Sequence, residues 1–310
     1  MEPKRKILIT GSNGLLGQKL CKALAQRPDI TLIATSKGEN RMRKLDQKMY
    51  QALDITSKKE LEEVFVKYMP DVVIHTAALT NVDACESNKE ECVALNVDAV
   101  RSIVEVMEKH VPAAHLIHLS TDFIFDGLKG PYKEEDAPNP LSYYAWSKLE
   151  SEKIVEASKL KWAIVRTIIV YGLVDNMSRS NLVLWAKDAL TKGQKINVVD
   201  DQFRAPTLSE DLAAGCIAIA DKGATGVYHL SGPDTLSVLD LVYQVADFWK
   251  LDKSLVNPIK SDTLNQAAKR PARTGFIIDK ARKELGYTPH TFIEGLKVVD
   301  KELKEALAIS

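Results

Sequence analysis

The chain has 310 residues, 45% hydrophobic and 27% charged, with a formal net charge of zero. That length suits one large domain, or a large domain with a smaller companion. A chain without net charge has no global basic field to hold nucleic acid or an anionic membrane, so a phosphate-bearing ligand needs a local site.

The first half alternates short β-branched apolar runs with longer amphipathic stretches. KILIT is a strand, and residues 14–26 are a helix. ITLIAT is the next strand, followed by the short strand-like YQALD. SKKELEEVFVKYM opens with Ser57 as an N-cap and Glu60 three residues on, the spacing of a capping box. DVVIHTAA is a strand, residues 89–109 are a helix, HLIHLST is a strand, LSYYAWSKLESEKIVEAS is a helix, and WAIVRTIIVYG is a strand. Strands apolar on both faces, each followed by a helix, predict a parallel sheet covered on both sides. The fold class is therefore α/β, a doubly wound parallel sheet. After Gly172 the rhythm loosens through a helix at about 182–191, the strand INVVD, a helix from Ser209 and the strand GVYHLSG. From about Leu236 the chain reads as mainly helical. The expected division gives 1–172 and about 205–231 to the dinucleotide-binding (Rossmann) domain. Residues of about 173–204 and 232–310 form a smaller substrate-binding lobe.

KILIT runs directly into Gly11-Ser12-Asn13-Gly14-Leu15-Leu16-Gly17. Glycines at a strand-to-helix turn permit the tight bend and let a pyrophosphate approach the backbone. The helix N-terminus then offers free N–H groups and partial positive charge to the anion. The next strand ends Ala34-Thr35-Ser36-Lys37, without the acid that would favour NAD by holding the ribose 2′-hydroxyl. Ser36 and Lys37 could hold a 2′-phosphate, which favours NADPH, with NADH as the alternative; a solvated basic loop is the competing reading for Lys37. Asp54 could bond the adenine amine or simply cap its neighbours.

Tyr144-Ala145-Trp146-Ser147-Lys148 sets a phenol and an ammonium four residues apart, on one face of a helix. Reduction of a ketone needs a proton donor for the developing alkoxide, and a lysine charge beside a phenol lowers its pKa. The preceding strand ends Leu119-Ser120-Thr121-Asp122, and strand ends carry the ligand groups of an open parallel sheet. The Thr121 hydroxyl, or that of Ser120, could polarise the substrate carbonyl.

TGSNGLLG, HTAALTNVDACE, LSTDFIFDG, YYAWSK, DDQFRAPT and KRPARTG together resemble, in order and spacing, the extended short-chain dehydrogenase/reductases, within them the dTDP-4-dehydrorhamnose reductase branch. The resemblance covers almost the whole chain. It implies a catalytic triad of Thr121, Tyr144 and Lys148 and a cofactor flanked by Ile55, Ala77, Ala78 and Thr80. Asp83, Asp122, Phe123, Arg204 and Arg270 would lie on the substrate side, the arginines toward the nucleotide-sugar diphosphate; an ion pair is the competing reading for each. The implied reaction is reduction of the C4 ketone of a nucleotide-linked 4-keto-6-deoxy sugar. Phe123 stands where the branch typically has tyrosine, Ile169 near a typical tryptophan, and Arg204 where many members have glycine. The methionine adenosyltransferase β subunit shares this branch, so a non-catalytic NADP-binding regulatory subunit is the alternative. An epimerase or 4,6-dehydratase ranks lower, because Phe123 replaces the acid that dehydratases of the superfamily usually place after Thr-Asp. Homodimers through paired helices are common in this superfamily.

Four scattered cysteines (Cys21, Cys85, Cys92, Cys216), each in or beside a helix, read as buried reduced thiols. The six histidines show no metal-ligand spacing; His75 and His118 read as hydrogen-bonded core residues. KEEDAPNP reads as a polar loop bordering the substrate mouth. Without a signal core or a membrane-spanning run, the expected location is the cytoplasm.

Overall fold

The structure is a computed structural model that describes residues 4–176 and 180–308. In chain order the first half comprises β1 (Arg5–Thr10), α1 (Leu15–Leu24), β2 (Ile30–Ser36), β3 (Tyr50–Ala52), α2 (Lys58–Tyr68), β4 (Val72–His75), α3 (Val82–Ser87), α4 (Lys89–Val93), α5 (Ala99–His110), β5 (His115–Thr121), α6 (Tyr143–Glu156) and β6 (Lys161–Thr167). There follow β7 (Val170–Tyr171), α7 (Leu182–Thr191), β8 (Ile196–Val199), β9 (Phe203–Arg204), β10 (Thr207–Leu208), α8 (Ser209–Lys222), β11 (Gly226–His229), β12 (Leu236–Ser237), α9 (Val238–Phe248), β13 (Val256–Ile259), α10 (Asp279–Leu285) and α11 (Phe292–Leu307).

Seven strands form one parallel sheet in the order β11-β6-β5-β4-β1-β2-β3. Adjacent residues of β1 serve opposite faces: Ile7 and Ile9 join one core, Leu8 the other. That explains why the strand had to be apolar throughout. The strand order reverses between β1 and β4, which opens a crevice at their carboxyl ends. A third core, around Tyr171, Leu241, Val245, Phe292 and Leu296, lies apart from the sheet. The apolar face of α9, with Leu241, Val242, Val245 and Ala246, is buried there.

Three elements differ from the sequence reading. Ser57 caps α2 by accepting from Glu60 N, but the Glu60 carboxylate turns to Asp54 N, 2.9 Å away, so only half the capping box forms. The helix expected over 89–109 contains a π-helical stretch at Ala94–Asp98. Its Asn96 side chain bonds the Leu79 N–H and carbonyl and the Ser147 hydroxyl, partners an inward-facing amide can satisfy. The strand expected through Gly172 stops at Thr167. Ile169 has φ +28°, and β7 pairs instead with β10, where Thr207 bonds the carbonyls of Ile168 and Ile169.

All four cysteines are free and buried. Lys19 on α1, only 6% exposed, lies 2.6 Å from Glu210 of α8 and 2.7 Å from Glu302 of α11. Among the described residues no helix is long and apolar enough to cross a membrane.

Candidate active site

The crevice is a cleft of about 730 Å³ lined by the glycine loop, the ends of β2, β4 and β5, and α6. Gly11 has φ +71°, and a Cβ there would lie 2.7 Å from the Ala77 nitrogen. A Cβ on Gly17 would lie 2.2 Å from the Gly11 carbonyl oxygen, so only glycine lets α1 start this close to β1. Gly14 is the N-cap and supplies no side-chain cap, leaving the first N–H groups of α1 for a ligand. This cradle, which side chains would fill, fits a dinucleotide pyrophosphate. Gly11, Asn13, Gly14, Leu15, Leu16, Gly17, Ser36, Lys37, Asp54, Ile55, Ala77, Ala78 and Thr80 all line the cleft.

At its adenosine end the two candidate side chains meet each other. Lys37 Nζ lies 2.7 Å from Asp54, whose other oxygen accepts from Thr56 N and Oγ1. The Lys37 bond, ahead of opposing desolvation, lowers the Asp54 pKa. Lys37 is 80% exposed, so this pair is weak and free to reopen. Asn13 holds the following loop, donating to Glu39 O and accepting from Arg41 N.

Thr121, Tyr144 and Lys148 converge at the other end, all buried. Ser142 caps α6 by accepting from Ala145 N, which fixes the first turn carrying Tyr144. Thr121 Oγ1 donates to Asp122 Oδ1 at 3.1 Å and accepts from Phe123 N. Phe123 packs edge-on against Tyr144, ring centroids 6.2 Å apart. The expectation that lysine lowers the phenol pKa does not hold in the ligand-free protein. Burial pushes Tyr144 above its ordinary value, and the bond with Thr121 offsets only part of that. A phenol so placed stays protonated at neutral pH. Burial also pushes Lys148 down to about 8, against the opposing influence of Glu152 and Cys92. Asp122 is raised, by burial first, with Arg204 and the Thr274 hydroxyl pulling the other way.

Three residues expected on the substrate side do not line the cleft: Asp83, Arg204 and Arg270. Arg204 is 1% exposed, and its guanidinium donates to the carbonyls of Phe203, Pro271 and Ala272 and to Gln202 Oε1. It therefore tethers the 271–274 segment instead of facing a phosphate. Arg270 forks onto Asp83, with bonds of 3.2 and 2.6 Å, the ion-pair alternative. None of KEEDAPNP reaches the cleft; Glu134 instead accepts from His229 N. Residues the sequence reading missed include Thr76, Thr167, Val170, Asn181 and Leu182. Thr167 and Val170 flank the break after β6, which no local signal announces. Among the described residues no group of three or more His, Cys, Asp or Glu is arranged to hold a metal.

Known proteins share this architecture. The dTDP-4-dehydrorhamnose reductase of Aggregatibacter actinomycetemcomitans is 33% identical over 304 residues, 94% of this chain and 97% of that protein. Methionine adenosyltransferase 2 subunit beta of Bos taurus is 31% identical over 274 residues, 87% of this chain and 79% of that one. The crystal structure of dTDP-4-dehydrorhamnose reductase from Bacillus anthracis in complex with NADP superposes with a TM-score of 0.80 at 25% identity, covering 96% of this chain and 99% of that one. The RmlD substrate binding domain model matches residues 5–305, and the chain belongs to that family.

Proposed function

We propose that the protein is an NADPH-dependent oxidoreductase, with NADH the alternative, that reduces the C4 ketone of a nucleotide-linked 4-keto-6-deoxy sugar of the dTDP-4-dehydrorhamnose kind. The observation that carries this reading is the meeting of Thr121, Tyr144 and Lys148 in one cleft with a glycine cradle at its far end.

When bound, the reduced nicotinamide supplies the hydride. Gly11, Gly14 and Gly17 leave room for the pyrophosphate, and the N-terminus of α1 faces its charge. Thr121 turns its hydroxyl from Asp122 to the substrate carbonyl and orients it. Tyr144 gives its phenolic proton to the carbonyl oxygen, which becomes the hydroxyl of the product. Lys148 holds positive charge near the phenolate that remains and would hold the nicotinamide ribose. The smaller lobe would lie on the sugar side of the cleft: a separate core gathers around Tyr171 and Phe292, and Asn181 and Leu182 at the start of α7 line the cleft.

The test is consumption of NADPH with dTDP-4-keto-6-deoxy-L-mannose, run beside Tyr144→Phe. Turnover that falls about 10²-fold or more in the variant, with NADPH affinity kept, is the expected result. No turnover on any nucleotide 4-keto sugar overturns the reading.

The similarity to the bovine β subunit favours a second reading, an NADP-binding regulatory subunit. A stable complex with a methionine adenosyltransferase catalytic subunit, without ketone turnover, would select it. Sedimentation of the protein alone tests the homodimer.

A further inference from the structure

The buried lysine of the cleft faces a donor. Lys148 is 3% exposed, and among the described residues one polar atom lies within hydrogen-bond reach of its Nζ: His118 Nε2, at 3.4 Å. His118 stands inside β5, fully buried. Its Nε2 also lies 2.9 Å from Ser151 Oγ on α6. Ser151 has one hydroxyl proton and donates it to the Lys148 carbonyl at 2.6 Å. The Ser151 oxygen therefore accepts from His118, which puts the imidazole proton on Nε2. Nδ1, without a partner, is left with a lone pair and no proton.

An ammonium has three donors and no acceptor, so it can neither bond this N–H nor find another partner in the cleft wall. A neutral amine has a lone pair and can accept from it. Burial, ahead of repulsion from Lys148 and His75, holds His118 well below its ordinary pKa and keeps it neutral. His75 of β4, stacked on His118 at 5.4 Å between centroids, is likewise pushed down by burial, to about 3. Tyr144, one turn earlier on α6, stays protonated. Glu152, one turn later, favours the lysine charge, as does Cys92 of α4, but Glu152 is itself engaged by Arg166. Burial outweighs both and brings Lys148 down to about 8.

We propose that Lys148 is a proton acceptor coupled to cofactor binding: in alkaline solution its amine accepts from the His118 N–H, and it takes up one proton from solvent when a reduced dinucleotide brings ribose oxygens within its reach. The inference rests on the reductase reading for the cofactor, but not for its readout. Oxygen acceptors favour the charged form and return the group toward its ordinary 10.5. Below pH 8 the lysine already carries its proton, and binding takes up little. Above pH 8 the proton must come from solvent, so the bound state holds more protons and affinity falls as pH rises. The fall is about tenfold between pH 7 and 9. Binding thus installs the charge that the Tyr144 phenolate needs.

Calorimetric titration of the whole protein with NADPH, in buffers of different ionisation enthalpy, counts the protons. The expected uptake is about 0.8 proton at pH 9 and about 0.1 at pH 7. The cofactor phosphates are largely ionised at both pH values. Lys148→Met has no proton to exchange, and the guanidinium of Lys148→Arg never gives its proton up, so both variants should take up none at pH 9. NADPH fluorescence follows affinity from pH 7 to 9 in all three proteins, including a variant that binds too weakly for calorimetry. The tenfold fall should appear in the wild type alone. Wild-type uptake under about 0.2 proton at pH 9 overturns the proposal, as does equal uptake, or an equally steep fall in affinity, in either variant. Uptake that depends on Lys148 in a protein that reduces no keto sugar leaves the proposal standing and removes the reductase reading. Turnover without uptake does the reverse.

Discussion

Replacing Lys148 by methionine will raise the stability of the ligand-free protein at neutral pH while removing its turnover. The folded-state pKa of about 8 lies below the ordinary 10.5, so folding weakens proton binding at this site. At 1.36 kcal/mol per unit, holding the ammonium in place costs about 3 kcal/mol. Below pH 8 both folded and unfolded lysines are charged and the cost is complete. Between about 8 and 10.5 the folded lysine is neutral while the unfolded one still binds its proton, so stability rises with pH. Above that window the cost is gone. Methionine matches the length of the side chain without the charge, and imperfect repacking of the thioether offsets about 1 kcal/mol. The net gain of about 2 kcal/mol corresponds to roughly 4 °C in Tm for a chain of this size. Thermal denaturation followed by circular dichroism at pH 7 and at pH 10.5, without cofactor, reads it directly. A variant no more stable than wild type at pH 7, or one with the same advantage at both pH values, refutes the reasoning.

Gly17→Ala places a methyl 2.2 Å from the Gly11 carbonyl oxygen, and the backbone must move to admit it. Overpacking of this kind costs about 1–3 kcal/mol, and calorimetric titration should show NADPH affinity at least about tenfold weaker. Glu152→Ala strands Arg166, which is 5% exposed and forks onto that carboxylate, so chemical denaturation should register a loss of about 3–5 kcal/mol. Arg204→Met leaves the carbonyls of Phe203, Pro271 and Ala272 without their donor. It should lower stability by about 2–5 kcal/mol. Its effect on nucleotide-sugar KM should stay within about threefold, and a larger rise would return Arg204 to the diphosphate.

The parts that local chemistry dictates were readable from the residues. Strands apolar on both faces, Ser57 before its helix, and glycines at positions 11, 14 and 17 each answer to a nearest-neighbour requirement. Tyr144 and Lys148 were readable because helical spacing alone places them together. The arginines were not, because whether a guanidinium meets a phosphate or a carbonyl depends on a segment some 67 residues away in sequence, as with Arg204 and Pro271. The break at Ile168 and Ile169 was hidden for the same reason: the run is β-branched throughout, and only Thr207 makes the turn favourable by taking two carbonyls. The direction of the Tyr144 shift needed the burial of the ring, which the charge pattern does not contain.

The ion cluster around Lys19 ties the beginning of the chain to its end. α1 presents its N-terminus to the cleft, and the Lys19 ammonium on its inner face is paired with Glu210 and, at 2.7 Å, with Glu302. During synthesis Glu302 leaves the ribosome 283 residues after Lys19. Until it does, Lys19 has Glu210 alone as its acidic partner. A product truncated before α11 therefore carries the glycine loop with one of the two carboxylates that hold Lys19 of α1 missing.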